Sequence, residues 1–313
     1  MTKPTRQYRY LFGPVPSRRL GLSLGVDIIP FKTCTQNCLY CQLGRDGNLT
    51  LERKSYVPPE AVLKEIEQWL HEGGKADYIT ISGSGEPTLH RQLEKILDGI
   101  HALTSIPIAV ITNGTLLHLP DVRKACCKAD VVLPSLDAGD ETTFQEINKP
   151  HPNLKFVDFV DGLLSFRKEY IGPIWLEVFL CDNLNTGTES IQNLRQLIAK
   201  ICPDRVQLNT AVRPTAHPGI KAVNPEKLKA IAEQLRPDAE IIADFPVDSA
   251  ALGGTGSETQ ILDTLKRRPC GLEELCKSLS ISPNFALKYL QHLQEQGKIR
   301  IENQQGKLFY CVK

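Results

Sequence analysis

The sequence predicts an α/β protein, a partial barrel of six β/α units that is followed by a smaller unit of three helices and a β-hairpin. Two observations predict the barrel: short β-branched strands alternate with amphipathic helices over residues 25–208, and Gly, Pro, Asn and Ser mark the turns between them. After residue 260 the pattern changes to three closely spaced helical segments and an alternating hairpin. The chain therefore divides into two units.

The barrel elements follow in chain order. The first predicted strand, 25–30, leads into a cysteine-rich loop, and an amphipathic helix over 59–72 begins with a proline. The other predicted strands cover residues 78–82, 106–112, 131–136, 174–180 and 205–208. The helices between them are predicted over residues 89–103, 121–128, 153–169 and 188–201. Such an alternation favours right-handed crossovers and a parallel sheet, with its chemistry at the carboxyl ends of the strands.

Composition and charge are those of an ordinary globular protein. Hydrophobic residues make up 41% and charged residues 23%, and the formal net charge of +1 gives no whole-chain argument for binding nucleic acid. The start of the chain lacks the apolar core of a signal peptide, and no run approaches the roughly 18 apolar residues of a membrane span. We therefore expect a cytoplasmic protein with no membrane partner, whose ten cysteines remain reduced.

Three cysteines, Cys34, Cys38 and Cys41, share one short loop with the spacing CxxxCxxC. A closed zinc site usually shows a second CxxC or an HxxxH partner, and none follows here. Three thiolates on a four-iron cluster would leave one iron open to a small chelating molecule. A three-thiol metal site and a chance group of core cysteines are the alternatives.

With Tyr40 directly before the last cysteine, this loop resembles the signature of radical S-adenosylmethionine (radical SAM) enzymes. The resemblance implies a [4Fe–4S] cluster on Cys34, Cys38 and Cys41, with S-adenosylmethionine on the open iron. It also implies reductive cleavage of that cofactor to a 5′-deoxyadenosyl radical, which abstracts hydrogen from an unidentified substrate. An electron donor such as flavodoxin or ferredoxin is then expected.

A glycine-rich turn after the second barrel strand resembles the GGEP motif with which this family binds the cofactor's amino group. Its residues are Gly83, Ser84, Gly85, Glu86 and Pro87. Ser84 stands where many members have glycine, and Glu86 is the carboxylate expected near the ammonium group. A plain turn between strand and helix is the alternative.

Further candidate cofactor contacts stand at the ends of later strands. Asn113 either contacts the cofactor or is only part of an Asn-Gly turn. Alternation places Ser135 and Asp137 on one face, where they could bond to ribose hydroxyls, as residues of this strand do in the resembling family, or cap the next turn. Glu177 lies within an apolar strand and is either a site residue or outward-facing.

The resemblance extends over about residues 10–246 to the radical SAM group that includes 4-demethylwyosine synthase. The matching blocks are FGPVPSRR, SLGVDIIP, CTQNCLYC, SGSGEPTL and SLDAGDE. Demethylwyosine synthases hold a second cluster on cysteines before the CxxxCxxC loop, whereas this chain has no cysteine before Cys34. Modification of a tRNA base is therefore an alternative within the expected enzyme class.

The second unit resembles a winged helix-turn-helix domain. We expect a radical SAM core over 1–246, a flexible linker over 247–260 and the winged helix over 261–313, with few contacts between the two units. The residues expected to face inward from the hairpin are Ile299, Ile301, Phe309 and Cys311.

The second unit also carries the positive residues Lys288, Lys298, Arg300 and Lys307. The winged helix is expected to bind RNA or DNA, to recognise a protein or peptide substrate, or to act as a structural lid. A redox-sensing DNA-binding regulator is the alternative from another functional class.

Overall fold

The computed structural model of the protein describes residues 8–44, 47–243, 258–279, 281, 283–304 and 306–313. Its strands are β1 (Leu11–Ser17), β2 (Gly21–Val26), β3 (Thr33–Cys34), β4 (Asn48–Leu49), β5 (Tyr78–Ile81), β6 (Ile108–Thr112), β7 (Val131–Pro134), β8 (Trp175–Leu180), β9 (Arg205–Thr210), β10 (Glu240–Ile241), β11 (Ile299–Gln304) and β12 (Lys307–Val312). Its helices are α1 (Pro59–His71), α2 (Leu93–Leu103), α3 (Pro120–Cys126), α4 (Glu141–Ile147), α5 (Phe156–Glu169), α6 (Thr188–Ile201), α7 (Pro225–Leu235), α8 (Glu258–Arg267), α9 (Leu272–Leu279) and α10 (Pro283–Glu295), with a short 3₁₀ turn at Pro87–Leu89.

A curved, mostly parallel sheet forms the larger unit. Five strands pair in the order β1-β2-β5-β6-β7 and three in the order β10-β9-β8, and β1 alone runs antiparallel to its neighbour. Parallel bridges from Val132 to Ile174 and from Ser135 to Glu177 join β7 to β8. The six strands β2 and β5 to β9, linked mainly through helices, confirm the predicted α/β fold.

The amphipathic helices cover the outer face of this sheet. In α1, a proline at the first turn and an acidic Glu60 favour initiation, and Val62 and Ile66 are fully buried. Gly73, with φ of +82°, follows the end of the helix, a conformation that glycine adopts without strain. One continuous hydrophobic core joins these helices to the sheet.

Several elements of the larger unit were not expected from the sequence, among them β1, α4 and α7. The strand β1 contains Gly13, Pro14 and Pro16, which are residue types that normally mark turns, so the sequence did not indicate a strand there. The helix α4 is capped by Asp140, which accepts a hydrogen bond from the amide of Thr143 at 2.8 Å. Asn224 caps α7 in the same way, accepting from the amide of residue 227 at 2.8 Å.

The C-terminal unit has a hydrophobic core of its own, formed by α8, α9, α10 and the hairpin β11-β12. Ile299 and Tyr310 contribute to it from one face of the hairpin. The prediction that Ile301 faces inward is wrong, because its side chain is 40% exposed. Ile301 pairs with Tyr310, so it lies on the opposite face of the hairpin from Phe309 and Cys311, both of which are buried.

The two units contact each other directly, so the expectation of few contacts between them is wrong. Arg213 after β9 forms a buried ion pair with Glu274 in α9, and the guanidinium of Arg267 lies 4.5 Å from the ring centroid of Phe12 in β1. Gln304 in the hairpin donates to the carbonyl of Ala211. The predicted linker over 247–260 lies outside the described residues except for 258–260, which begin α8.

No helix among the residues that the structure describes has the length and apolar character needed to cross a membrane.

Candidate functional site

The cysteine loop is held at the carboxyl end of the barrel by backbone hydrogen bonds from distant parts of the chain. The amide of Leu39 donates to the carbonyl of Ile147 at 2.9 Å. The amide of Ala216 donates to the carbonyl of Cys41 at 2.7 Å, and the amide of His217 to the carbonyl of Leu39 at 3.0 Å. The loop conformation is therefore fixed by segments that lie more than one hundred residues further along the chain.

The three expected cluster cysteines are free thiols that are partly covered by the loop. Burial raises the pKa of Cys34 to about 12, and it also raises the pKa of Cys38 and Cys41 above the ordinary value. The side-chain amide of Asn113 lies 3.5 Å from the sulfur of Cys34, and that of Asn148 lies 3.5 Å from the sulfur of Cys38. Such N–H donors to sulfur favour the deprotonated ligand form.

The residues present fit a multi-iron cluster better than a single ion. Within the described part of the chain, no three His, Cys, Asp or Glu side chains are grouped closely enough to hold one metal ion. A single zinc ion would need sulfur atoms that each lie about 2.3 Å from it. The thiolates that bind a four-iron cluster are spaced more widely from one another, because each binds a different iron. The ammonium of Lys32 is buried beside this loop and has no hydrogen-bond partner among the described residues. A bound anionic cluster would compensate this charge.

The Gly83–Pro87 turn packs directly against the cysteine loop. Gly85 forms a parallel bridge with Thr33, and a Cβ atom at Gly85 would lie 2.0 Å from the carbonyl oxygen of Thr33. Only glycine permits this approach. Both the amide and the hydroxyl of Ser84 donate to Asp27, and Pro87 is buried in the 3₁₀ turn.

Glu86 does not face an open site, contrary to the role expected beside the cofactor's ammonium. It is buried, and its carboxylate accepts hydrogen bonds from the amide and hydroxyl of Thr88, the hydroxyl of Thr112 and the amide of Asn113 at 2.6–3.0 Å. Burial raises the pKa of Glu86, although these bonds oppose the rise. Through these hydrogen bonds the carboxylate links the turn after β5 to the end of β6.

Asn113 connects this network to the cysteines. Its side-chain NH₂ donates to the hydroxyl of Thr35 at 2.8 Å and approaches the sulfur of Cys34, and its Oδ1 accepts from the amide and hydroxyl of Thr115 at 3.0 and 2.8 Å. The amide group is thus fully engaged in positioning the loop, which is more than the simple turn that Asn-Gly indicates.

Ser135 and Asp137, which were both expected to contact the cofactor, have different environments. Ser135 is half-buried, and its hydroxyl makes no hydrogen bond to any described residue. Asp137 is buried and accepts from the Tyr40 hydroxyl, from Asn148 at 2.9 Å and from the amide of Phe179 at 2.8 Å. Burial raises the pKa of Asp137 to about 6.

Two side chains that the sequence did not single out complete this support. Phe179 in β8 stacks on the ring of Tyr40 with 4.0 Å between centroids, and Asn148 joins Asp137 to Cys38. Tyr40 carries a sequence signal as the aromatic residue before the last cysteine, but Asn148 follows a helix that was itself not predicted. The sequence pattern alone gave no indication of the role of Asn148.

Glu177 points into the barrel and is paired with a positive side chain. It is therefore not outward-facing, which was one of the two environments expected for it. Its carboxylate forms an ion pair with Arg19 and accepts from Asn209 at 2.9 Å. Burial would raise the pKa of Glu177, but Arg19 and Asn209 lower it below the usual value.

The positive residues of the C-terminal unit are largely paired. Nζ of Lys298 lies 3.7 Å from Oε1 of Glu258, and Nε of Arg300 lies 2.7 Å from Oε1 of Glu302. Lys307 is exposed, and the side chain of Lys288 lies outside the described part of the chain. A continuous basic face is not formed by the described residues.

Comparison with known proteins agrees with this geometry. The family model described as the radical SAM superfamily matches residues 28–198, a range that contains the cysteine loop, the Gly83–Pro87 turn and Ser135. A solved structure described as a radical SAM methyltransferase from Sphaerobacter thermophilus matches with a TM-score of 0.54 at 15% identity, over 70% of this chain and 64% of that chain. At this identity the likeness shows the fold.

Two relatives match nearly the whole chain. A protein called GTPase Obg from Brachyspira hyodysenteriae is 39% identical over 99% of this chain but only 46% of its own length, so the chain spans less than half of that relative. A UPF0026 protein from Methanocaldococcus jannaschii is 33% identical over 96% of this chain and 94% of its own length. The chain therefore belongs to the radical SAM superfamily and, within it, to the UPF0026 family.

Proposed function

We propose that the protein is a radical SAM enzyme in which Cys34, Cys38 and Cys41 hold a [4Fe–4S] cluster. The observation that carries this proposal is one loop with three thiols, two of which lie 3.5 Å from side-chain amide donors. Backbone bonds fix the loop at the end of the barrel where ligands of parallel sheets bind. The buried ammonium of Lys32 supplies positive charge beside it.

When bound, the cluster supplies the electron that cleaves S-adenosylmethionine to methionine and a 5′-deoxyadenosyl radical, which abstracts hydrogen from the substrate. Among this chain's own residues, we assign cofactor contacts to the backbone of Gly83, Ser84 and Gly85 and to the hydroxyl of Ser135, which has no partner among the described residues. Glu86, Pro87, Asn113 and Asp137 are assigned positioning roles, because their polar groups are engaged within the protein or, for Pro87, the ring is buried.

Anaerobic reconstitution tests the cluster assignment. The full-length protein should bind about four irons and four sulfides, and Cys38→Ala should lose the cluster because one of its three thiolates is missing. Cys126→Ala is the matched control, since Cys126 is a fully buried core thiol away from the loop. Iron and sulfide analysis together with the visible absorption spectrum are the measurements.

Two results would contradict the proposal: stoichiometric zinc after native anaerobic purification, or an unchanged cluster in Cys38→Ala. Reduced protein should also form 5′-deoxyadenosine from S-adenosylmethionine catalytically, as followed by liquid chromatography. This product separates an enzyme from a redox-sensing DNA-binding regulator, which has no need of the cofactor.

We further propose that the C-terminal unit is a winged-helix domain over 261–313, joined by a linker over 247–260 to a catalytic core over 1–246. Its separate hydrophobic core and its order of three helices and a hairpin support this division. The paired Lys298 and Arg300 support a lid or docking element more than a nucleic-acid face. Binding of total tRNA that weakens steeply with salt would instead favour the tRNA-modifying alternative.

A further inference from the structure

A cavity of about 230 Å³ lies where the C-terminal unit meets the barrel. The barrel contributes the turn between β1 and β2 and the ends of β5 and β9, and the C-terminal unit contributes α8 and the residue after it. Four arginines line this cavity: Arg18, Arg19, Arg267 and Arg268. The site assigned to the cluster and to S-adenosylmethionine does not use any of them.

The hydrogen-bond partners of Arg18 among the described residues are all neutral. Its guanidinium donates to the carbonyl of Ile242 at 2.7 Å, to the carbonyl of Ala243 at 3.2 Å and to Oδ1 of Asn209 at 3.4 Å. Burial and, to a smaller extent, the nearby Arg213 lower the pKa of Arg18 to about 10, although Glu177 opposes this shift. The one carboxylate that acts on Arg18, that of Glu177, is already ion-paired with Arg19, so an anion bound beside Arg18 would stabilise this buried guanidinium.

Arg267 reaches the cavity from α8 and is also incompletely paired. One NH₂ group donates to the carbonyl of Asp263 at 2.9 Å, but Nε is buried and has no hydrogen-bond partner in the part of the chain that the structure describes. The nearest carboxylate oxygen, on Asp27, lies 3.9 Å from Nε, beyond hydrogen-bond distance. The side chain is stacked over Phe12, which fixes its direction.

Each of the other two arginines lies against a carboxylate. Arg19 pairs with Glu177, and Arg268 lies 2.9 Å from Glu274, which also pairs with Arg213. Arg18 on the barrel and Arg267 on the C-terminal unit are therefore the two lining arginines with no carboxylate oxygen of a described residue within hydrogen-bond distance. Ser82 and Thr264 add hydroxyl groups to the lining.

We propose that this cavity binds the anionic group, a phosphate or a carboxylate, of the enzyme's substrate. Its volume is that of several water molecules, at about 30 Å³ each, so it admits one small anionic group and its immediate attachment. Guanidinium forks suit both phosphate and carboxylate oxygens. Ser82 in the lining directly precedes the turn assigned to the cofactor and Gly83 begins that turn, which places a substrate held here beside the expected chemistry. The statement that the bound anion belongs to a substrate rests on the proposed function, whereas the binding of an anion in this cavity does not.

Anion titration of the full-length protein tests the inference. Inorganic phosphate and malonate are titrated separately at constant ionic strength, with isothermal calorimetry as the measurement, and the tighter of the two identifies the anionic group. Arg18→Met and Arg267→Met should each weaken binding at least about tenfold, because each removes one guanidinium contact. Arg195→Met is the control, since Arg195 is exposed on α6 away from the cavity, and its affinity should equal that of the wild type.

Thr264→Leu provides a second test should the loss of an arginine prevent folding. It keeps every charge but extends an apolar side chain into the cavity, so it should also weaken anion binding. The inference is overturned if the wild type binds neither anion, or if the cavity variants bind as tightly as Arg195→Met. Iron content and 5′-deoxyadenosine formation by the wild type are measured in parallel. Arginine-dependent anion binding without a cluster would sink the proposed function alone, and a working cluster with no anion binding would sink this inference alone.

Discussion

At the scale of single residues, Tyr40 links the cysteine loop to the barrel interior. Its hydroxyl donates to Asp137 while its ring stacks on Phe179. In Tyr40→Phe the stacking remains, but a buried carboxylate loses a donor, which should lower the free energy of unfolding by about 1 to 3 kcal/mol. Anaerobic urea denaturation followed by circular dichroism is the measurement.

Tyr78→Phe is the matched control for this prediction. Tyr78 packs edge-on against Trp175, and its hydroxyl makes no hydrogen bond to a described residue, so its removal should change stability by less than about 0.5 kcal/mol. Equal effects of the two substitutions would mean that the bond from Tyr40 to Asp137 contributes nothing to stability.

Asp137 should make stability depend on pH. Its pKa is about 6 in the folded protein against 3.8 ordinarily, so the folded state retains a proton that the unfolded chain has already released. This contribution is fully present below the unfolded value and is lost as pH rises through about 6. From about pH 5 to about pH 7 it should decrease by about 1 kcal/mol in the wild type.

Asp137→Asn cannot titrate at this position and should not show that decrease. The difference in unfolding free energy between wild type and variant, measured across the same pH range, isolates the carboxyl group from other titrating residues. A difference that stays constant with pH would show that Asp137 ionises normally.

The sequence located the site residues better than it assigned their roles. Glu86 and Asp137 stand at the strand ends where ligands bind, and both were expected to contact the cofactor. Both are instead buried and hydrogen-bonded within the protein. Their partners lie up to 97 positions away along the chain, as with Tyr40 and Asp137, and local pattern carries no information about such pairing.

At the scale of elements, the short strand β3 and the Gly83–Pro87 turn form one unit. Gly85→Ala would place a Cβ atom 2.0 Å from the carbonyl of Thr33 and push β3 away. Because Thr33 directly precedes Cys34, we expect a loss of about 1 to 3 kcal/mol in stability and a reduced iron content after reconstitution.

Gly187→Ala is the control for this effect. Nothing lies within 4 Å of a Cβ atom at Gly187, so the substitution should cost less than about 1 kcal/mol, and iron content should remain normal. Full iron content in Gly85→Ala would show that the cysteine loop tolerates displacement of β3.

Periodicity predicted the strands and long helices well because their buried faces are regular. Helix α6 was predicted with the bounds that the structure has, Thr188–Ile201. The strand β1 was missed because glycine and prolines interrupt it, and the short helix α4 was also missed. The four hairpin residues expected to face inward do not share one face, since Ile299 and Ile301 lie on the opposite face from Phe309 and Cys311, because hairpin register depends on pairing across the turn.

At the scale of the whole molecule, one carboxylate joins the two units. Glu274 pairs with Arg213 of the barrel and Arg268 of its own unit, and all three side chains are largely buried. Glu274→Gln leaves both guanidinium groups without their carboxylate, so we expect a loss of about 3 to 5 kcal/mol in the free energy of unfolding.

Glu273→Gln supplies the neighbouring control, since Glu273 is exposed at the surface of α9. Its effect should stay below about 0.5 kcal/mol. Similar denaturation curves for the two variants would mean that this ion pair does not hold the units together. The sequence could not have predicted the pair, because its partners are 61 positions apart and belong to different cores.

The backbone bonds that hold the cysteine loop also set an order of events during synthesis. The thiols leave the ribosome early, but the loop is bonded to residues 147–149 and to residues 216–217, which emerge much later. Until then the three cysteines have no fixed arrangement and no neighbouring amides. For the cluster proposed above, we therefore expect iron and sulfide to be inserted only after most of the barrel has been translated, and the three thiols to need a reducing environment until then.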